Sequence, residues 1–171
     1  MKFKPKGKFN SRKLNKIKRI WKEKESKILR CLNRLTGIKV KTNKITCKIN
    51  PKDSNGYYGM KNITAGVYNN PQATLQVITH ELIHIVYWKR IKELKLTRSI
   101  LGKEKEWEWK LSEFSVYLLQ KEPEMMKFWP NEKIPLYPKI KNFNKLAKKF
   151  WKGNFDDYLI KSYALLRKKY K

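Results

Sequence analysis

The segment Val77-Ile78-Thr79-His80-Glu81-Leu82-Ile83-His84 holds both histidines of the chain, four residues apart, with a glutamate after the first. On a helix, residues four apart lie one turn apart on the same face, so His80 and His84 can offer two imidazole nitrogens to one metal ion. Glu81 then lies beside them, on the flank facing a metal-bound water. Zinc lowers the pKa of such a water to roughly 7, and a carboxylate in reach can take its proton and pass it to a leaving amine. In a chain with only two histidines, this spacing arises by chance roughly once in a thousand sequences or less, which makes the pattern informative.

The segment needs a helix to carry it. Asn70-Pro71 is a helix start, with Asn as the cap and Pro at the first helical position, and nothing breaks a helix from there to about Arg90. Leu75, Ile78, Leu82, Ile85 and Val86 form an apolar stripe opposite the histidines, while Ala73 and Val77 lie on the histidine side. A helix apolar on both sides is an interior helix. Two histidines and a glutamate inside it need polar partners, because unpaired buried polar groups are costly. One zinc ion per chain would supply that partner.

Catalytic zinc takes three protein ligands and leaves one position for water. With both histidines used, a three-histidine site is excluded, so the third ligand is a carboxylate or, less favourably, Cys31 or Cys47. The downstream acids cluster on a second helix expected over Lys103 to Gln120. At 100° per residue its core face is Trp107, Leu111, Phe114 and Leu118, with small Ser115 at the edge. Glu104 and Glu108 lie along that edge, whereas Glu106 and Glu113 point nearly the opposite way. Glu108 is favoured, because the helix is established there and Ser115, two turns on, leaves room for close approach. Glu104 is the rival by spacing and Glu113 the rival by local pattern. Most of these acids must be ordinary solvated helix charges.

His80-Glu81-Leu82-Ile83-His84 followed by a glutamate on the next long helix resembles the gluzincin metallopeptidases, particularly the compact minigluzincins and the antirepressor-type (ImmA/IrrE-like) peptidases. Glu108 through Phe114-Ser115 to Leu118-Leu119 is similar to the latter family's E-x-E-A-N-x-F-A-x-x-L-L helix, whose first Glu is the ligand, with Lys110, Leu111 and Ser112 standing in place of Glu, Ala and Asn. Leu111-Ser112-Glu113-Phe114-Ser115-Val116-Tyr117 also resembles the L-N-E-G-F-A-x-Y helix of aminopeptidase-like gluzincins, with one residue missing. The resemblance covers about residues 63–119. It implies a zincin-like fold, with a strand before the active helix lying antiparallel to bound substrate, here Ile63 to Tyr68. It also implies hydrolysis of a protein or peptide substrate, with Glu81 as the catalytic base. An oxyanion donor is expected as well, and Tyr117, Tyr137, Tyr158 and Tyr163 are all candidates.

The remaining elements frame this pair of helices. Ser11 to Leu35 carries Leu14, Ile17, Ile20, Trp21, Ile28, Leu29 and Leu32 near a period of about 3.6, a basic amphipathic helix ending at Gly37. Ile38 to Val40 and the alternating Ile45 to Ile49 read as half-buried strands, and Ile63 to Tyr68 as a further strand, weakened by Gly66 and so an edge. Residues 50–56 form a loop by their turn residues. Pro123, Pro130, Pro135 and Pro138 make an irregular segment, followed by helices near Phe143 to Trp151 and Asp156 to Tyr170. The expectation is one α+β domain over residues 1–171, with a core of about 11–122 and a helical extension of about 123–171. Its sheet would be small, mixed or antiparallel.

Composition restricts partners rather than fold. Hydrophobic residues make up 40% of the chain, with six Trp, which excludes a disordered basic tail. The 42 Lys and Arg against 14 Asp and Glu give a formal charge of +28, a field that attracts phosphate backbones, anionic membranes and acidic proteins. A basic nucleic-acid-binding protein with a structural or vestigial zinc site is therefore the alternative function, with Trp and Tyr among the lysines available for stacking. The two cysteines, Cys31 and Cys47, read as core thiols. The N-terminus lacks the apolar run of a signal peptide, and no stretch approaches the roughly 20 apolar residues of a membrane span. A cytoplasmic protein is expected.

Overall fold

The computed structural model of the chain describes residues 1–7, 10–50, 55–68, 70–97, 99, 104–134, 136–141, 143 and 149–170. Its elements run in the order β1 (Lys2–Pro5), α1 (Ser11–Thr36), β2 (Thr46–Asn50), β3 (Gly56–Tyr58), β4 (Asn62–Gly66), α2 (Pro71–Glu93), α3 (Glu106–Gln120), α4 (Pro123–Met126) and α5 (Phe155–Lys169). Short 3-10 turns occupy Thr42–Lys44 and Pro138–Ile140.

The long basic helix forms as its pattern requires. Asn10 Oδ1 accepts the Lys13 N–H at 3.2 Å, and Gly37, at φ 70°, closes the helix by donating its N–H to Asn33 O at 2.8 Å. Left-handed backbone is easy only for glycine, so the sequence stops the helix there. Ile17, Trp21, Ile28 and Leu32 are buried along one stripe.

The sheet has the order β1-β2-β4-β3. β1 pairs with β2 and β2 with β4 in parallel, and only β3 runs antiparallel, against β4. Of the mixed or antiparallel sheet expected from sequence, the purely antiparallel form is corrected: the sheet is mixed, with three parallel strands and one antiparallel. The long helix α1 supplies the crossover that a parallel β1–β2 pair needs. β1 itself, KFKP, is too short and charged to announce a strand. Ile38 to Val40, expected as a strand, is irregular, and β1 takes the place beside β2. β2 does alternate: Cys47 and Ile49 are buried while Lys48 is exposed. β4 is not an edge, because β3, expected as the end of a loop, hydrogen-bonds along its outer side.

α2 packs on β4 and α1, and its buried residues cover all sides, from Leu75, Ile78 and Leu82 to Ile83, Tyr87 and Trp88. α3 lies against α2, and α5 reaches both, with Tyr163 packed edge-on to Trp107 of α3 at 5.1 Å. Arg90 of α2 ties down the start of α5 through its paired hydrogen bonds to Asp156. The helix expected near Phe143 to Trp151 falls largely outside the described residues. Cys31 and Cys47 are free, buried thiols, and no described helix is long and apolar enough to cross a membrane.

Candidate metal centre

α2 starts where its sequence directs, with Asn70 Oδ1 accepting the Gln72 N–H at 3.0 Å and Pro71 in the first turn. Its length carries His80 and His84 onto one face, their Nε2 atoms 3.1 Å apart. Glu113 reaches both from α3: Oε2 lies 3.5 Å from His80 Nε2, and Oε1 lies 3.3 Å from His84 Nε2. All three ligand atoms fall within 4.8 Å of one another, and among the described residues this is the one such group of three or more. Zinc bonds of about 2.0–2.2 Å in a tetrahedron set neighbouring ligand atoms about 3.4 Å apart, so these separations suit a single ion.

α3 also holds the histidines from behind. Ser112 Oγ is 2.7 Å from His84 Nδ1. With Nδ1–H donated to that hydroxyl, His84 turns the lone pair of Nε2 toward the site. The Gln120 side chain hydrogen-bonds His80 and donates its Nε2–H to Gln76 O at 3.0 Å. These supports were not singled out from the sequence. A signal for Gln120 was present in the polar stripe Glu113, Tyr117 and Gln120, at spacings of four and three along α3.

The electrostatics of the group are those of a cation site. Burial pushes the Glu113 carboxyl up, but the hydrogen bonds and charges of His80 and His84 outweigh it and hold the group at about 2, hence ionised. Burial disfavours protonated His80 as well, yet the Glu113 hydrogen bond and the Glu81 charge bring it above its ordinary value. For His84 burial prevails, and its pKa is lowered. Glu81 is 3% exposed, and burial raises it to about 7 against the opposing pull of His80. Glu81 Oε2 and Glu113 Oε2 are both buried without a hydrogen-bond partner. Orphaned carboxylate oxygens beside two imidazole nitrogens are a donor set that fits a divalent ion.

The group opens onto a cavity of about 260 Å³, lined by His80, Glu81, Glu113, Tyr68, Tyr117 and Tyr137 among others. Of the four candidate oxyanion tyrosines, Tyr117 and Tyr137 reach this cavity, and the Tyr137 ring stands edge-on to His80 at 6.5 Å. Tyr158 is buried 3.4 Å from Ser115 Oγ, and Tyr163 Oη donates to Glu108. The segment after α4 contributes Lys133 and Ile134 to the wall, and Glu132 accepts a hydrogen bond from Asn70 Nδ2.

Glu108, the favoured third ligand, does not join the histidines. Its carboxylate accepts from Thr97 Oγ1 at 2.5 Å, Ser99 Oγ at 2.6 Å, Lys105 N at 3.0 Å and Tyr163 Oη at 2.9 Å. Because α3 begins at Glu106 rather than Lys103, Glu108 is its third residue, where a carboxylate turns back on the helix's own N-terminus. Glu113 is five positions beyond Glu108, about 140° around the helix, so one faces α5 and the other α2. The single core face read from the sequence misplaced both, since α3 is covered on both sides. Glu104 precedes α3 and lies outside the cluster. Comparison of the chain with protein families, with curated proteins and with solved structures gave no match.

Proposed function

We propose that the chain is a small zinc-dependent, gluzincin-like endopeptidase whose metal ligands are His80, His84 and Glu113. The observation that carries this reading is the convergence of the imidazole nitrogens of His80 and His84 with the Glu113 carboxylate, beside a cavity that His80, Glu113 and the buried carboxylate of Glu81 line. Structural zinc sites are closed by four protein ligands, whereas three leave a position for water and substrate. The three-ligand cluster therefore favours catalysis over a structural or vestigial zinc. Zinc held there supplies Lewis acidity, activating water and polarising a carbonyl.

The protein residues divide the remaining work. Ser112 and Gln120 fix the orientation of the two imidazoles. Glu81 accepts the proton of the attacking water and returns it to the leaving nitrogen, a role suited to a carboxylate beside the ligands and free of other hydrogen bonds at one oxygen. Tyr68, Tyr117 and Tyr137 are the phenols lining the cavity from which an oxyanion donor would come. β3, the strand at the sheet end next to α2, replaces β4 as the edge on which an extended peptide would lie.

The test is zinc content and turnover of quenched fluorescent peptides by protein stripped with chelator and reloaded. One zinc per chain and cleavage that Glu81→Gln abolishes, with zinc retained, is the expected result. A parent protein that binds no zinc, or cleavage unaffected by Glu81→Gln, would sink the proposal.

A further inference from the structure

The +28 charge is left unused by the metal centre. One part of it is gathered in a groove of about 850 Å³ between α1 and the α4 turn, which shares no lining residue with the metal cavity. Lys24, Lys27, Arg30 and Arg34 approach it from α1 and Lys127 from the opposite wall. Its two acids, Glu23 and Glu124, are each engaged by an arginine: Arg19 lies 3.9 Å from Glu23 and Arg34 2.6 Å from Glu124. Lys24 Nζ donates to Phe128 O at 3.3 Å, joining the walls. Lys27, Arg30 and Lys127 are exposed, and their charge is turned to solvent.

From this geometry we infer that the groove binds single-stranded nucleic acid through its phosphate backbone. Four cations on one face of α1 run about 15 Å from Lys24 to Arg34, enough to span several phosphates. The walls bring charge to the strand from two sides, as a groove for a rod-like polyanion does and a flat membrane surface does not require. Phe128, half-buried in the lining of the same groove, offers a ring against which a base can stack. Cations flanking an aromatic in a trough are the combination that holds single strands without reading sequence. The inference does not depend on the peptidase reading.

Fluorescence anisotropy of a labelled oligothymidylate of about 12 nucleotides, titrated with the full chain in chelator, tests it. Lys27→Gln with Arg30→Gln should flatten the slope of log affinity against log salt by about 1.4, the loss of two phosphate contacts to a single strand. Lys168→Gln with Lys169→Gln removes the same charge from the end of α5 and should leave that slope unchanged. Phe128→Ala should weaken binding about five-fold or more. The two double variants flattening the slope equally would overturn the groove, since net charge alone would then explain binding. So would capture of anionic vesicles through Lys27 and Arg30 with no binding of the oligonucleotide.

Discussion

Exchanging one oxygen for an amide at two glutamates of the same helix should have different consequences. Glu108 accepts four hydrogen bonds and is 2% exposed. Charge-assisted hydrogen bonds contribute about 1.5–3 kcal/mol and neutral ones about 0.5–1.5. Glu108→Gln downgrades two bonds and asks two hydroxyls to reverse, which gives about 3 kcal/mol of lost stability once relaxation is allowed. In a domain of this size that is a fall in Tm of about 6–12 °C. Its zinc content should not change. Glu113→Gln removes the anionic ligand instead, and zinc affinity should fall by more than the roughly 100-fold seen at the upper end for groups that only support a ligand. Its Tm in chelator should fall as well, because the interactions of His80 and His84 that hold the Glu113 carboxylate ionised are weakened, so zinc affinity rather than Tm separates the two variants. Thermal melts in chelator and zinc titration against a competing chromophore read both effects. Zinc lost from Glu108→Gln and retained by Glu113→Gln would refute the ligand assignment, and an unchanged Tm for Glu108→Gln would refute the buried carboxylate network.

Three further outcomes follow from the same contacts. Burial alone would raise the Glu108 carboxyl, but its hydrogen bonds from Ser99, Thr97, Lys105 and Tyr163 prevail and hold it below the ordinary 4.5. A depressed folded-state pKa stabilises above the unfolded value and loses that contribution as pH falls through the folded one, so stability should drop below about pH 4.5 less steeply in Glu108→Gln than in the parent, checked by urea midpoints across acid pH. Ser112→Ala should weaken zinc binding about 10–100-fold while leaving one zinc per chain at saturation, measured by the same titration; an unchanged affinity would remove Ser112 from the support of His84. Burial pushes the Cys31 thiol up to about 11 and the Cys47 thiol up to about 12, so neither should react with iodoacetamide in the folded protein at pH 7.5, and rapid labelling seen by mass spectrometry would contradict their placement.

The local elements were largely legible in the sequence. Asn70-Pro71 fixed the start of α2, Gly37 the end of α1, and alternation the buried face of β2, because caps, left-handed turns and pleats depend on residues close in the chain. The helical spacing of His80 and His84, with Glu81 between, was equally a matter of neighbours. What only the tertiary structure decided was everything set by elements packing from a distance. β1 is invisible without β2 to pair it, and the parallel run of the sheet is a property of the crossover rather than of any strand. The choice between Glu108 and Glu113 was decided in the same way. A helical wheel assigns one buried face, but α3 has two, with α2 bringing the histidines to Glu113 and α5 bringing Tyr163 to Glu108. A carboxylate becomes a ligand or a structural acceptor according to what is packed opposite it, and that is fixed by the three-dimensional arrangement of the helices.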